Sequence, residues 1–400
     1  MRLLLVTNDY PPGPGGIQQT LLNFVDRWTD QVRVLAPNHP AAETDQRVVR
    51  HERAFMWPTR RVRRWIEEQV ADFQPDVILF GAPHPLAMLG PGLRKRTGRP
   101  YAVMTHGADV TVPSVIPGFR QSLTWGLRSA DTVFAVSQFT GDRVARLTGN
   151  GVHVLGAGVD TEVFRPRVIQ SAGPAAGETA APSPDGTTPF TLGCVGHFVP
   201  RKGHARVLKA AAELRSRGHN VEVLIVGWGR LEPRIRRLAG RIGVPTRFEV
   251  GVPWRRLPEL YRQMDAFAMP ARSRWFGLEV EGFGIVYLEA AATGLPVVAG
   301  SSGGAPETVD SGKTGFVADS VAGIVKAVEG WLADPAEARA MGRLGRERIE
   351  DHFTWDAVMN VLQQRISTTT ESTRIHPEQS ERERLEDDSV LRVRPLRRSS

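Results

Sequence analysis

The 400-residue sequence predicts an α/β fold with two doubly wound parallel-sheet domains. Short apolar runs that end in turn residues alternate with segments of helical periodicity, which is typical of a parallel sheet covered by helices. The alternation stops in a stretch rich in Ala, Gly, Pro, Ser and Thr and then starts again. We therefore predict a first domain over 1–167, a flexible linker or insertion over 168–189 and a second domain over 190–350.

Each predicted strand is a short apolar run, as expected for a strand that is buried on both faces of a sheet. After the first strand and a Gly-Pro loop, apolar residues recur at helical spacing from Ile17 to Val25. A helix is also predicted around 205–217. The predicted strands are 3–7, 32–36, 77–80, 101–104 and 132–136 in the first domain, and 190–195, 221–226, 247–250, 266–269, 297–299 and 315–317 in the second.

The last part of the sequence is polar. Beyond Ile366 it mixes charges of both signs and has almost no large apolar residues, so we predict a disordered tail over 367–400. The basic segment 392–398 within it either contacts an anionic surface or is simply solvated.

Composition narrows the class of protein. No window approaches the ~18 consecutive apolar residues of a membrane-spanning helix, and the apolar start is too short for a signal peptide. We therefore expect a cytoplasmic chain. The single cysteine, Cys194, excludes an internal disulfide and a cysteine-based metal cluster. Because it lies in an apolar run, it is predicted to be a core residue rather than a nucleophile.

The net charge of +8 comes mostly from arginine, since the chain has only five lysines. Such a surplus suits phosphate-bearing ligands, nucleic acid or an anionic membrane surface, and it does not choose among them. No nucleic-acid recognition motif accompanies the charge, so no nucleic-acid partner is expected.

The loop Gly13–Gly16 separates the first strand from the first helix, where a phosphate-binding loop is expected. Glycine permits positive φ and the close approach of backbone amides, and a helix N-terminus favours an anion. The spacing does not match the dinucleotide-binding G-x-G-x-x-G pattern, and no acidic residue closes the second strand. A tight turn is the alternative interpretation.

Arg201 and Lys202 follow the first strand of the second domain. Ligands of open α/β sheets bind outside the carboxyl ends of the strands. An arginine fork beside a lysine point charge suits a diphosphate at such a position. The alternative is an exposed basic turn.

Glu281 and Glu289 flank the start of a predicted helix over 283–292. The Gly-Phe-Gly stretch before the helix offers amides without intrahelical partners. A separation of eight residues is about 2.2 helical turns, so both carboxylates can lie on one side. They could then bind hydroxyl groups of a ribose and of a sugar. Solvated surface glutamates are the alternative, but the small apolar neighbours weaken that interpretation.

His106 ends another strand of the first domain and is followed by Gly107. At the carboxyl end of a parallel strand, its imidazole is expected to face the cleft between the two sheets. A catalytic role and a purely structural role both remain open for it.

Taken in order, these residues resemble retaining glycosyltransferases of family 4. The resemblance covers about residues 1–365 and implies the GT-B architecture, two Rossmann-like domains that face each other across a cleft. It also implies a C-terminal helix over 351–366 that crosses back to the first domain. The motifs that carry it are E-x7-E at Glu281 and Glu289, the preceding Arg-Lys-Gly, the N-terminal Gly-Gly, Thr-His-Gly at 105–107, Val-Ser-x-x-Thr at 136–140, Gly-Val-Asp…Phe-x-Pro at 158–166, and the stretches 302–309 and 312–316.

The resemblance implies a role for each site residue. Glu289 would hold the nucleotide ribose, Glu281 would contact the transferred sugar, and His106 would meet that sugar near the reacting carbon. The implied donor-binding residues are Gly16, His197, Arg201, Lys202, Phe283, Gly284, Ile285 and Glu289; the catalytic residues are His106, Lys202 and Glu281; the acceptor-binding residues are Tyr10, Gly15 and Gln18.

The mechanism implied is front-face transfer with retention, in which the leaving diphosphate helps to activate the acceptor hydroxyl. Stabilising the departing charge is then the main catalytic task. The sequence has no Asp-x-Asp motif, so neither an essential metal nor a cofactor is expected. The family pattern has arginine where this chain has His197, whose charge depends on pH. That departure leaves the identity of the donor open.

Within the family, residues 1–18 and 277–300 most resemble phosphatidylinositol mannoside mannosyltransferases, which use GDP-mannose at the inner membrane surface. Segment 55–66 interleaves aromatic residues with four arginines. It suits an interfacial anchor on anionic lipid, and the alternative is the solvated start of a basic helix. Two other functions stay open. One is a family 4 transferase that uses a UDP-sugar with a small-molecule or polysaccharide acceptor. The other is a non-catalytic nucleotide- or polyanion-binding protein.

Overall fold

The computed structural model describes residues 1–13, 15–167 and 188–375, which build two parallel sheets with helices on both faces. Most of the predicted linker, 168–187, lies outside the described residues, as does 376–400. In the first domain the strands are β1 Leu3–Val6, β2 Val32–Pro37, β3 Val48–His51, β4 Val77–Phe80, β5 Tyr101–Thr105, β6 Thr132–Ala135 and β7 His153–Val154, and the helices are α1 Gly16–Asp26, α2 Arg60–Phe73, α3 Gly90–Thr97, α4 Ala108–Thr111, α5 Pro117–Arg128 and α6 Gln138–Thr148.

The second domain repeats this arrangement with six strands. Its strands are β8 Phe190–Val195, β9 Val221–Gly227, β10 Thr246–Val250, β11 Ala266–Met269, β12 Val297–Ala299 and β13 Gly315–Val317, and its helices are α7 His204–Ser216, α8 Glu232–Ile242, α9 Leu257–Tyr261, α10 Ile285–Ala292, α11 Val321–Ala333, α12 Pro335–His352 and α13 Trp355–Ile375.

Both sheets reverse the direction of strand order in the middle. The first has the order β3-β2-β1-β4-β5-β6-β7 and the second β10-β9-β8-β11-β12-β13, with parallel pairing throughout. The reversal lies between β1 and β4 in one sheet and between β8 and β11 in the other. Loops diverge there at the carboxyl ends of the strands and leave a crevice for a ligand. The predicted fold class is confirmed.

The sequence pattern identified the buried central strands and missed two strands at the sheet edges. All four residues of β1 and all four of β4 are buried, so their apolar runs are continuous. By contrast, β3 and β7 lie at the two ends of the first sheet and carry polar, partly exposed residues such as Arg50 and His153. Strands of this kind have no apolar run to detect.

The C-terminal helix α13 crosses back onto the first domain. Trp355 packs edge-on against Phe24, with ring centroids 5.8 Å apart. Further along, the hydroxyl groups of Thr369 and Thr132 lie 2.5 Å apart. The helix continues to Ile375, so the predicted helix end at 366 and the predicted start of a disordered tail at 367 are both wrong. In this polar continuation of the helix, Thr369 contacts Thr132 of the first domain and Thr370 is buried.

A second link joins the two domains beside the crevice. The carboxylate of Glu307, from the second domain, accepts the backbone N–H groups of Gln138 and Phe139 at 2.7 and 2.9 Å. These amides open α6, so the carboxylate complements the positive end of that helix. Together with α13, this contact fixes the two crevices opposite each other.

Cys194 lies in the apolar interior, as predicted. The thiol lies in β8 with no exposed surface, and burial raises its pKa to about 12. It is therefore a small core residue rather than a nucleophile. Among the described helices, none combines the length and the apolar character that crossing a membrane requires.

Candidate active site

The loops of the two domains meet directly at the crevices. A Cβ added to Gly16 at the start of α1 would lie 4.0 Å from Cδ1 of Ile285, at the start of α10. A Cβ added to Gly107 would lie only 2.9 Å from Cα of Gly282, and the φ of Gly107 is 115°. A side chain at 107 would therefore push the domains apart, which gives a physical reason for glycine at that position.

Glu281 forms a buried charge cluster with the two cations predicted from the sequence. Its carboxylate lies 2.9 Å from Nζ of Lys202 and 2.5 Å from Nη1 of Arg201. Glu281 and Lys202 are each less than a tenth exposed, and Arg201 is about a quarter exposed. Burial acts to raise the pKa of Glu281, but Lys202 and Arg201 outweigh it and hold that pKa below its usual value. The carboxylate is thus ionised and orients both cations.

The backbone of Glu281 is fixed from the second sheet. Its N–H donates to Oγ of the fully buried Ser302 at 2.9 Å, and its carbonyl accepts the N–H of Gly304 at 3.1 Å. Ser302 and Gly304 follow β12, so one strand end positions the loop that precedes α10. This support makes the carboxylate a rigid part of the site.

Glu289 is held in a separate subsite about one turn into α10. Tyr261 donates its hydroxyl to Oε2 of Glu289 at 2.8 Å, and the indole of Trp254 also hydrogen-bonds the carboxylate. Burial raises the pKa of Glu289 to about 7, while these two donors oppose the rise. Unlike Glu281, this carboxylate forms no ion pair with another described residue, so its remaining hydrogen-bonding capacity suits hydroxyl donors.

The N-terminus of α10 carries amides that no side chain caps. Gly284 is the N-cap residue with φ 97°, a conformation that favours glycine, and the helix begins at Ile285. The ring of Phe283 packs against Phe353 with centroids 5.8 Å apart, so its backbone rather than its ring belongs to the site. A helix of eight residues that starts at the charge cluster favours an anion there.

His106 closes the site from the first domain. Its Nε2 lies 2.8 Å from the carbonyl oxygen of Gly81, at the end of β4. Its backbone N–H donates to both carboxylate oxygens of Asp109, at 2.9 and 3.0 Å. These contacts fix the ring next to Gly107 and therefore close to Gly282. If Nε2 donates to Gly81, Nδ1 is the nitrogen that can accept a proton or a hydrogen bond.

His197 stacks on an aromatic partner that sequence reasoning missed. Its ring lies 4.0 Å from that of Trp228 at an angle of 33°. Burial lowers the pKa of His197, and the cations Arg201, Lys202 and Arg230 lower it further. The imidazole is therefore neutral at physiological pH, and the charge for a diphosphate comes from Arg201 and Lys202.

The predicted acceptor-binding residues lie at the loop after β1, but they differ in their access to a ligand. Gln18 donates from Nε2 to Asp9 at 3.2 Å, and the side chain of Gln18 covers the position that a Cβ on Gly15 would occupy. Tyr10 is buried, its hydroxyl has no hydrogen-bond partner among the described residues, and burial raises its pKa to about 12. Its packing supports the loop.

The structure thus brings the predicted donor-binding residues of both domains to one interface. Several contributors carried no motif in the sequence, because their role depends on a partner far away along the chain. These residues are Trp228, Trp254 and Tyr261.

Two facing parallel-sheet domains, with a buried carboxylate–lysine–arginine cluster at the meeting of their crevices, define a glycosyltransferase of the GT-B type. The family model described as "Glycosyltransferase Family 4" matches residues 14–163, and the one described as "Glycosyl transferases group 1" matches residues 178–348.

Relatives and solved structures agree with this class. The chain is 39% identical over 380 residues to the GDP-mannose-dependent alpha-(1-6)-phosphatidylinositol monomannoside mannosyltransferase of Mycolicibacterium smegmatis, covering 88% of this chain and 95% of that protein. It is 35% identical to the GDP-mannose-dependent monoacylated alpha-(1-6)-phosphatidylinositol monomannoside mannosyltransferase of Corynebacterium glutamicum, covering 90% and 98%. Among solved structures, Anabaena HepE in complex with UDP has a TM-score of 0.74 at 17% identity and covers 92% of this chain and 100% of that one.

The chain belongs to glycosyltransferase family 4. Its sequence resemblance to that family and its assignment as a glycosyltransferase are confirmed by the family models and by these relatives. The likeness to HepE, at low identity, supports the fold alone.

Proposed function

We propose that the protein transfers a mannosyl group from GDP-mannose to a hydroxyl of a phosphatidylinositol mannoside, with retention at the anomeric carbon. The observation that carries this proposal is the buried cluster of Glu281, Lys202 and Arg201 at the uncapped N-terminus of α10. Near-complete alignment to two relatives whose names specify this donor and this class of acceptor supplies the substrates.

The donor diphosphate would lie between the cations and the start of α10. Arg201 and Lys202 would supply positive charge, and the amides of Phe283, Gly284 and Ile285 at the uncapped helix start would supply donors. As the bond from the sugar to the diphosphate breaks, negative charge develops on the leaving oxygen, and fixed charges stabilise it without reorganisation. Because Glu281 also contacts both cations, it balances their charge and offers an acceptor to the hydroxyls of the sugar.

Glu289 would accept the ribose hydroxyls, since its carboxylate forms no ion pair within the described residues and already accepts a hydrogen bond from the neutral donor Tyr261. His106, fixed by Gly81 and Asp109, would contact the sugar from the first domain. The acceptor hydroxyl would approach from the same face as the leaving group, and the diphosphate would take its proton. Arg201, Lys202 and the helix end supply the positive charge that a metal ion would otherwise bring, so we propose transfer without an essential metal.

Exposed apolar surface of the first domain supports a lipid acceptor at a membrane. Phe55 and Trp57 are 40% and 56% exposed, and their rings pair at 4.8 Å. Arg60, Arg61 and Arg64 are exposed next to them at the start of α2. Aromatic rings together with arginines suit the interface of an anionic bilayer. Of the predicted anchor 55–66, Met56, Val62 and Ile66 pack inward and hold the exposed residues in place.

A second exposed apolar surface lies where the two domains meet. Val115, between α4 and α5, and Phe119, in the first turn of α5, are exposed. Trp275 and Phe276 are exposed on a loop of the second domain. Thr111 donates to the carbonyl of Leu278 at 2.5 Å, so the two surfaces are neighbours. Apolar groups on both domains near the crevice suit an acceptor with acyl chains.

A transfer assay tests the proposal. Radiolabelled GDP-mannose is supplied with phosphatidylinositol monomannoside in vesicles, with EDTA present throughout. We expect labelled glycolipid with an α-linked product, and faster transfer from GDP-mannose than from UDP-glucose. Transfer only from a UDP-sugar would overturn the donor, β-linked product would overturn retention, and activity lost in EDTA but restored by Mg²⁺ would overturn metal independence.

The membrane part of the proposal has its own test. Phe55→Ser with Trp57→Ser should reduce co-flotation with vesicles of phosphatidylinositol and phosphatidylcholine about tenfold, because two interfacial aromatics are lost. The matched control replaces two exposed apolar residues elsewhere, Leu344→Ser with Val361→Ser. An equal effect in both double variants would contradict a specific anchor.

A further inference from the structure

A basic groove lies in the second domain, between α7 and α8, and its volume is about 910 Å³. That volume falls in the range of small-molecule sites. No aspartate or glutamate lines the groove in the described part of the chain. Six cations line it instead: Arg206 and Lys209 on α7, and Arg230, Arg234, Arg237 and Arg241 on or just before α8.

These six side chains have no carboxylate partner within 4.0 Å in the part of the chain that the structure describes. Their neighbour on the same helix behaves differently, since Arg236 pairs with Glu232 at 2.9 Å and lies over the ring of Phe248. Neither Arg236 nor Glu232 lines the groove. The helix thus keeps its paired charges on the outside, and the charges toward the groove repel one another unless an anion is bound.

Two helix N-termini add to the positive potential. Gly203 and Leu231 are the N-cap residues of α7 and α8, both line the groove, and no side chain caps either helix. With 13 and 11 residues, both helices are long enough to have a significant dipole. The groove wall also includes the buried His204, whose Nε2 has no hydrogen-bond partner within the described ranges.

The groove is separate from the donor subsite. Arg201 and Lys202 lie on the same loop as Pro200 and Gly203, but they contact Glu281 and do not line the groove. The loop therefore presents its cations to the cleft on one side and forms the end wall of the groove on the other.

We propose that this groove binds a small ligand with two or more phosphate groups. Arg234, Arg237 and Arg241 are spaced by three and four residues, so they form one row along α8. Arg206 and Lys209 are three residues apart and form a shorter row on α7. Two facing rows of cations match phosphates on both sides of a compact ligand. The ligand is either a free phosphorylated metabolite or the phosphorylated headgroup of an anionic lipid.

Calorimetric titration of the full chain with tripolyphosphate tests the site. Arg234→Gln, Arg237→Gln and Arg241→Gln together should raise the Kd at least about tenfold, since each removes a charge-assisted hydrogen bond. All three positions are exposed on a helix surface, so folding should be unaffected. The control triple, Arg247→Gln, Lys326→Gln and Arg343→Gln, removes the same charge from other exposed positions of the domain and should change the Kd less than about twofold.

The titration is repeated with saturating GDP to distinguish the groove from the donor cleft. Binding of tripolyphosphate that persists with GDP supports the groove, and displacement by GDP overturns it. Equal weakening in both triple variants would also overturn it, because that result indicates general electrostatic attraction. If GDP itself does not bind, the donor assignment fails, but the comparison of the two triples still decides about the groove.

Vesicle flotation identifies the source of the phosphate groups. Phosphatidylcholine vesicles with about a third phosphatidylinositol 4-phosphate are compared with pure phosphatidylcholine. Recruitment that the groove triple loses and the control triple keeps supports a lipid headgroup. Tripolyphosphate binding without such recruitment supports a free ligand. Failure of both probes to bind overturns the proposal.

Discussion

The two domains contribute to the cleft in different ways. The second domain supplies buried charges in fixed pairs, Glu281 with Lys202 and Arg201, and it places Glu289 against Tyr261. The first domain supplies glycine backbone, one partly buried imidazole, His106, and exposed aromatic residues. In the proposed function, donor recognition thus rests on electrostatics, whereas the acceptor side rests on backbone shape and apolar surface.

The largest effect on transfer is expected from a substitution in the charge cluster of the second domain. Lys202→Ala should lower the rate of transfer about a hundredfold to a thousandfold, because a fixed cation no longer stabilises the leaving diphosphate. It should also weaken donor binding, which calorimetry measures. The control is Lys326→Ala on the exposed surface of α11. Unchanged donor affinity and rate would show that the cluster with Glu281 is structural.

His106→Ala tests the contribution of the first domain. We expect turnover to fall about a hundredfold while donor affinity changes little, because the second domain holds most of the donor. Steady-state kinetics together with donor titration separate the two quantities. A loss of donor affinity with normal turnover would contradict the proposed role of His106 in turnover.

The proposed role of Glu289 predicts that donor affinity depends on pH. Burial raises its pKa to about 7, and the ionised form accepts two hydroxyl hydrogen bonds. Donor affinity should therefore rise between pH 6 and pH 8, as the carboxyl loses its proton. Glu289→Gln should weaken donor binding about tenfold at pH 8. It should also remove this pH dependence, and a Gln variant with an unchanged profile would contradict the assignment.

The smallest effect is expected at the end of the chain. A truncation after 375 should leave thermal stability and activity unchanged. One after 366 should cost about 1 kcal/mol, because it removes the hydrogen bond between Thr369 and Thr132 and the buried Thr370. Thermal unfolding of both forms tests this difference. Equal stability would mean that the last two turns of α13 contribute nothing to domain contact.

Burial explains which parts of the fold and of the site could be predicted from the sequence. The central strands are buried on both faces, so their apolar runs identified the two sheets, and the edge strands β3 and β7 gave no such signal. Lys202 was predictable because it follows the first strand of the second domain, where ligands of open α/β sheets bind. Glu281 was predictable because its small apolar neighbours do not fit a solvated surface position. Trp254 and Trp228 were not, since a hydrogen bond or a stacking contact across the fold has no local pattern in the sequence.

The helix end was mispredicted for a related reason. Thr369 and Thr370 lie in a polar segment that resembles a solvated tail, yet the hydroxyl of Thr369 contacts Thr132 and Thr370 is buried. Composition alone indicates disorder in such a segment, because it does not show which neighbours the fold provides.

Calorimetric titration with GDP, UDP and ADP in the presence of EDTA tests whether the second domain binds a guanosine nucleotide-sugar through buried charge. We expect one site per chain that prefers GDP, with binding weakened by Lys202→Ala and Glu289→Gln and unaffected by Lys326→Ala. Preference for UDP or ADP would contradict the donor. Absence of binding by all three nucleotides would contradict the site itself and favour a non-catalytic role.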